Sequence, residues 1–164
     1  MIVRLLAFLG GLFGAVTLSQ FPEFSQQYVQ RLSGAVDELK VVTFAFDKTA
    51  QMVGRTREEA LRELQSGNSP LVSQIGANTA ETIRRYERLN ADYEALAPAD
   101  PVMRLIRFYH IRDPELVERT WSHYQPAVPV TVDGAITAGI GFVIGWMVIR
   151  IVLSVLLWPV RRFA

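Results

Sequence analysis

Few residues in this chain of 164 residues have side chains that could take part in catalysis or metal binding, and their spacing predicts no reaction. The absence of cysteine excludes disulfides and thiolate chemistry. His110 and His123 lie on different predicted helices, and no carboxylate is spaced to complete a metal site with both of them. Glu58, Glu59 and Glu63, the carboxylates on which an enzyme acting on lipid or cell-wall material would depend, are spaced as on an exposed helix surface. We therefore expect no enzyme, no metal site and no cofactor.

Nucleic acids and small-molecule substrates have no recognisable site either. The basic residues Arg84, Arg85 and Arg88 alternate with Glu81 and Glu87, which is typical of a solvated helix face. The formal net charge is only +1, so no basic stretch is available for phosphate contacts. The sequence contains no phosphate loop, no dinucleotide fingerprint and no nucleophile elbow.

Arg150 is unusual because it lies inside the apolar run 134–159. A guanidinium at the centre of a bilayer costs about 2.5–3.5 kcal/mol by the low estimates. In one interpretation Arg150 snorkels to the headgroups; in the other it binds an anionic lipid or a carboxylate of a partner helix. Trp146 lies one turn earlier, within reach of a cation–π contact.

The depth of Arg150 in the bilayer depends on where the second span ends, and two positions are possible. If the span is tilted and ends near Trp158, then Arg150 lies toward the inner leaflet. If the span ends near Arg150, the residues after it bend along the interface. An aromatic residue followed by Arg161 and Arg162 is typical of an interfacial anchor, which favours the tilted span and lipid contacts for both arginines.

Small residues at four-residue spacing mark both apolar segments as helices that pack closely. Such faces let two helix backbones approach where lipid supplies no hydrophobic drive. The pattern leaves open whether the contact joins two helices of one chain or two chains. The residues that we expect at the contact are Gly10 and Gly14 in the first segment and Gly139, Gly141 and Gly145 in the second.

The elements that position these residues follow from hydropathy and charge. Residues 1–21 form an apolar segment whose only charged side chain is Arg4; we predict a retained transmembrane helix, with a cleaved signal sequence as the alternative. Residues 134–159 form the second transmembrane helix, and residues 160–164 form a basic tail. The basic flanks place both termini in the cytoplasm and residues 22–133 on the opposite side, with the inverted topology as the weaker alternative.

The segment between the spans predicts helices only, so the fold class is an all-α membrane protein. Apolar stripes run from Phe24 to Val53 and from Leu71 to Leu96, with a capping box at Thr56 and an N-cap pair at Ser69-Pro70 between them. We expect two long antiparallel helices, coiled-coil-like, joined by a short helix at 57–65. Two short helices follow near 102–110 and 114–124, and a linker occupies 125–132.

The opening residues resemble a known bacterial family. The string from Ser19 to Tyr28, together with the glycine-rich first helix, is similar to the family called domain of unknown function 2937. That resemblance covers nearly the whole chain and implies a small bacterial membrane protein with two spans. It implies no activity and no catalytic residue.

We expect a bacterial inner-membrane protein that acts as a scaffold through a periplasmic helical hairpin. The hairpin would either oligomerise or dock another membrane protein. Contacts near Trp121, Tyr124 and Gln26 to Tyr28, or along the stripes, are the expected interface, and membrane lipids are the remaining partners. The alternative is an accessory or assembly subunit of a larger respiratory or photosynthetic membrane complex.

Overall fold

The computed structural model describes residues 1–126 and 130–162, with side chains described as far as Leu156 beyond the gap. Part of the predicted linker, residues 127–129, therefore lies outside the described residues. The described chain contains helices and no strand, which confirms the all-α class. The elements are α1 (Ile2–Ser19), α2 (Phe21–Met52), α3 (Arg57–Gln65), α4 (Pro70–Leu96), α5 (Pro101–Ile106), a 3-10 turn (Phe108–His110), α6 (Pro114–Ser122) and α7 (Val132–Arg162).

The chain divides into two compact units. Unit 1 comprises Met1–Gln27, Ala99–Phe108 and Glu118–Ala164, and unit 2 comprises Tyr28–Pro98 and Tyr109–Val117. In unit 1, α1 packs along α7, and α5 also contacts α7. In unit 2, α3 packs against α4.

Unit 2 has a conventional hydrophobic core. Tyr28 and Leu32 of α2, Leu96 of α4 and Leu116 of α6 belong to one buried cluster. Burial raises the pKa of Tyr28 to about 12, because the phenolate would lose its hydration. The antiparallel hairpin itself stays a prediction.

Short-range signals in unit 2 correspond to the observed elements. Thr56 accepts a hydrogen bond from the Glu59 amide while the Glu59 carboxylate accepts one from the Thr56 amide, so the predicted capping box starts α3. Ser69 and Pro70 occupy the N-cap and N1 positions of α4, although the Ser69 hydroxyl makes no capping bond. Gly54, the one described residue with positive φ (68°), follows α2 at the turn into α3.

The buried faces of the long helices agree with the predicted stripes only in part. On α2 the stripe residues Tyr28, Leu32 and Ala50 are buried, but Val42 and Val53 of the same stripe are exposed. On α4 the exposed residues include Leu71 and Ile75, although the stripe places both inside. The physical reason on α4 is a close helix contact: Gly76 faces Leu64 of α3, where a Cβ would lie 2.8 Å from the leucine Cβ. Small residues, which a stripe of large apolar residues does not register, therefore occupy the first part of the buried face of α4, at Gly76 and Ala80.

Candidate functional site

The contact between α1 and α7 is built on four glycines. A Cβ on Gly14 would overlap the Gly141 carbonyl, and a Cβ on Gly141 would overlap the Gly14 carbonyl. One turn farther along, a Cβ on Gly145 would overlap the Gly10 carbonyl, and a Cβ on Gly10 would overlap the Ile149 side chain and crowd the Gly145 carbonyl. At these positions any side chain would force the two backbones apart, so glycine is required by close approach. The structure thus brings four of the expected glycines together within one chain.

Gly139 does not take part in this contact. A Cβ there would have no neighbour within 4 Å. The reason is helical phase, because Gly139 lies two residues before Gly141 and points about 200° away from it. Gly11 contributes instead: the Phe142 ring covers it, and that ring also makes an edge-to-face contact with Phe8 at 5.7 Å between centroids.

The glycine contacts fix the register of the two helices. Gly10 lies opposite Gly145 and Gly14 lies opposite Gly141, so the helices run antiparallel with paired residue numbers that sum to a constant. Continued with the same rise per residue, this register places Arg4 within one residue of the level of Arg150 at one end. At the other end it places Pro22 level with Asp133, about 27 Å of helix away.

The end of the pair that carries Arg4 and Arg150 contains a cavity of about 780 Å³. Arg4 and Phe8 line it from α1, and Trp146, Arg150 and Leu153 line it from α7. The Arg150 guanidinium lies over the Trp146 ring, 4.8 Å from its centroid, which is a cation–π distance. The side chains of Arg161 and Arg162 lie outside the described residues.

The opposite end of α1 carries an aromatic hollow of about 510 Å³. Phe21, Phe24, Trp121 and Tyr124 line it. The Tyr124 hydroxyl lies 3.2 Å from the Gln20 carbonyl and 3.0 Å from its side-chain oxygen, and burial raises the pKa of Tyr124. Aromatic residues with a polar tip are typical of a membrane–water boundary.

Gln26, in the segment expected to form an interface, has an internal partner. Its side-chain oxygen accepts a hydrogen bond of 2.7 Å from Arg104 of α5. Arg104 is buried, and burial lowers the pKa of its guanidinium because the cation loses hydration. This pair contributes to the packing of unit 1, so Gln26 is engaged within the chain.

The most buried polar cluster in unit 2 was not found from the sequence. Asp92 of α4 is 1 % exposed, with one carboxylate oxygen 2.7 Å from His110 Nδ1 and the other accepting from Arg112 Nε at 3.0 Å. The three residues lie far apart in sequence, and neither motif nor stripe connects them. The cluster ties α4 to the segment that follows α5, and it gives His110 a partner within the chain.

Two of the three carboxylates considered for catalysis have structural roles. Glu59 closes the capping box of α3, and the Glu63 carboxylate lies 3.1 Å from Arg55 Nε. Within residues 1–126 and 130–162, no group of three histidine or carboxylate side chains is arranged to hold a metal ion. These contacts assign Glu59 and Glu63 to the packing of the helical surface.

Length and composition make two helical stretches suitable for crossing a membrane. One lies in the helical run from Ile2 and the other is Val132–Leu156. Only 17 % and 6 % of their most apolar windows are buried inside the protein, whereas the core helix of a soluble protein is mostly buried. Together with the glycine contact between α1 and α7, these stretches characterise a small membrane protein with two apolar helices.

A comparison with protein families identifies the family of the chain. Residues 2–162 match the family described as Protein of unknown function (DUF2937). The chain belongs to the DUF2937 family. No curated protein and no solved structure matches the chain. The DUF2937 description carries no activity, so the surface of the protein has to indicate its role.

The surface of unit 2 of this DUF2937 chain carries several exposed large apolar side chains. Large apolar side chains are exposed on the C-terminal half of α2 and the first turns of α4, the two segments that flank α3. Phe44, for example, is 69 % exposed although it lies on a helix with a buried core face. We call these residues the exposed apolar set: Val41, Val42, Phe44, Met52, Val53, Leu71 and Ile75.

Proposed function

We propose that the protein is a non-enzymatic scaffold of the bacterial inner membrane that associates with other molecules through unit 2. The exposed apolar set is the observation that carries this proposal. Soluble surfaces rarely keep many large apolar residues exposed unless they meet a partner, a ligand or a membrane. The partner is either a second copy of the chain or another membrane protein.

The glycine contact supports this division of roles. Gly10, Gly14, Gly141 and Gly145 already face each other within one chain. Their close-packing surface is therefore occupied, and association through unit 2 does not depend on it. We infer that α1 and α7 anchor the protein, while the helices between them provide the docking surface.

The proposed topology places both termini in the cytoplasm and unit 2 in the periplasm. The basic residues Arg4, Arg161 and Arg162 flank the two spans on the same side, as the positive-inside rule requires. The paired register supports this arrangement, because it brings Arg4 within one residue of the level of Arg150 and brings the level of Pro22 to that of Asp133.

Native mass spectrometry of the full chain in mild detergent tests the docking role. We expect the wild-type protein to be recovered as an oligomer or with a stoichiometric protein partner. Phe44→Ser should weaken that assembly by about tenfold or more, the loss expected for an aromatic anchor at an interface. Tyr109→Ser is the matched control, since Tyr109 is a similarly exposed aromatic residue of unit 2 outside the exposed apolar set.

The same experiment distinguishes the accessory-subunit alternative. A second copy in the assembly supports self-association, and a single dominant foreign protein supports an accessory role. Recovery of a lone monomer without any partner contradicts docking. Equal weakening by both variants also contradicts it, because the exposed apolar set would then have no special part.

A further inference from the structure

The cavity at the Arg4 end of unit 1 combines two guanidinium cations with apolar walls. Arg4 and Arg150 both line it, and neither takes part in an ion pair within the part of the chain that the structure describes. The sequence contains no Asp or Glu before Glu23 or after Asp133. No carboxylate side chain of these terminal segments is therefore available to neutralise the two guanidiniums.

The contact between Arg150 and Trp146 leaves hydrogen-bond donors available. The guanidinium carbon lies over the Trp146 ring, 4.8 Å from its centroid, which is a cation–π distance. A cation–π contact uses the positive charge, and a guanidinium carries five N–H donors that can still reach an acceptor. The contact also restricts the side chain, which lowers the entropy lost when an acceptor binds.

The level of the cavity matches the depth of a lipid phosphate. The register from the glycine contacts puts Arg4 and Arg150 near one end of the α1–α7 pair, in which the 18 residues of α1 rise about 27 Å. The hydrocarbon core of a bilayer is about 30 Å thick, so both guanidiniums lie near its boundary when the pair spans the membrane. Phe8 and Leu153 contribute apolar walls to the same cavity, where an acyl chain fits.

We propose that this cavity binds an anionic phospholipid, with Arg4 and Arg150 holding its phosphate and the apolar walls contacting its acyl chain. A phosphate offers several acceptor oxygens to two guanidinium forks, which is a strong charge-assisted arrangement. A free phosphate shares the headgroup chemistry but would leave the apolar walls without a partner. The proposal requires that α1 and α7 span the membrane and is independent of docking through unit 2.

Lipid titration followed by native mass spectrometry tests the site on the full chain. Phosphatidylglycerol, phosphatidylcholine and inorganic phosphate are each added to delipidated protein in mild detergent. We expect phosphatidylglycerol to bind about tenfold more tightly than phosphatidylcholine, and inorganic phosphate to displace it poorly. Equal affinity for the two lipids overturns the proposal, as does binding of inorganic phosphate in preference to phosphatidylglycerol.

Paired substitutions locate the site. The double variant Arg4→Gln and Arg150→Gln should weaken phosphatidylglycerol binding about tenfold, because both headgroup contacts are lost. The double variant Arg84→Gln and Arg88→Gln removes the same charge from exposed positions of unit 2 and should leave binding unchanged. Equal weakening by the two double variants overturns the proposal, since only net charge would then matter.

Arg150→Lys keeps the test informative if the neutral variants fail to insert. Lysine preserves the charge but provides neither the planar stack on Trp146 nor the fork. We expect binding of phosphatidylglycerol to weaken about threefold, with circular dichroism unchanged. Unchanged affinity overturns the stacked-arginine site. The proposal is also overturned if Arg150→Lys loses a protein that co-purifies with the wild type while its lipid binding is unchanged. Arg150 would then bind a carboxylate of that partner.

Discussion

The glycine contact of unit 1 and the core of unit 2 solve the packing of helices in two different ways. Between α1 and α7, backbones meet at Gly14 and Gly141 with no side chain between them. In unit 2, large side chains such as Tyr28 and Leu32 fill the core, and a buried carboxylate, Asp92, joins separate segments. In lipid, burying apolar area against protein gains little, so close backbone approach has to hold helices together. In water the hydrophobic effect favours large buried side chains.

The largest effect should come from filling the glycine contact. Gly141→Leu places a side chain on the Gly14 carbonyl, and no rotamer relieves a clash that begins at Cβ. We expect α1 and α7 to separate and the protein in mild detergent to lose its cooperative thermal transition, a cost above about 4 kcal/mol.

Gly139→Leu is the matched control for that substitution. It adds the same side chain two residues away on the same helix, where a Cβ has no neighbour within 4 Å. The melting temperature should change little. If Gly139→Leu destabilises as much as Gly141→Leu, the two helices do not meet at the glycines that the structure pairs.

The next effect concerns the buried carboxylate in unit 2. Asp92→Asn removes the buried anion that Arg112 and His110 contact, and because Arg112 is largely exposed the loss should be about 2 kcal/mol, as for hydrogen bonds to a charged group. Thermal unfolding followed by circular dichroism measures the loss. Glu94→Gln, an exposed change on the same helix, should be nearly neutral; comparable losses would mean that Asp92 is not the buried centre of the cluster.

A smaller effect depends on pH. The Arg57 guanidinium donates two hydrogen bonds to Asp47, and this holds the pKa of the carboxyl below its usual value of 3.8. Because the folded-state pKa is lowered, this contribution is present above the unfolded pKa and is lost as the pH falls through the folded one. Both side chains remain partly exposed, so screening limits it to about 1.5 kcal/mol.

Asp47→Asn checks that contribution. The variant should be less stable than the wild type near neutral pH, and the difference should shrink as the pH drops below about 4. Melting temperatures measured from pH 7 to pH 3 provide the comparison. A difference that stays constant through this range would show that Asp47 contributes by packing and not by its charge.

The smallest expected effect is at the start of α3. Thr56→Ala removes the hydroxyl that accepts from the Glu59 amide and should cost about 1 kcal/mol. Thr56→Ser retains the hydroxyl and should restore most of the stability. Equal melting temperatures for the alanine and serine variants would contradict a capping role for the hydroxyl.

Within unit 2, the sequence predicted the starts of helices better than it predicted their buried faces. Local signals worked where one turn decides the structure: the capping box at Thr56 and the N-cap pair at Ser69-Pro70 both occur at element starts. Faces that depend on a distant partner were less predictable. Leu71 and Ile75 are exposed because α4 packs against α3 through the face that contains Gly76. The periodicity of large apolar residues does not predict that contact.

The candidate site shows the same limit. Four-residue spacing selected Gly10, Gly14, Gly141 and Gly145, but it selected Gly139 as well, because spacing defines a face and not which face meets a partner. Trp146 and Arg150 were one helical turn apart in sequence, so their stacking could be anticipated. The approach of Arg4 to the same cavity depends on the register between α1 and α7, which only the structure supplies.

Site-specific labelling tests the central claim, that α1 and α7 form an anchoring pair across the membrane. The natural chain has no cysteine, so Asn68→Cys and Ala164→Cys each provide one unambiguous position. In intact spheroplasts, a membrane-impermeant maleimide should label Asn68→Cys and should reach Ala164→Cys only after permeabilisation. Labelling of both positions under the same condition would contradict a pair that crosses the membrane, and the reverse pattern would contradict the proposed orientation.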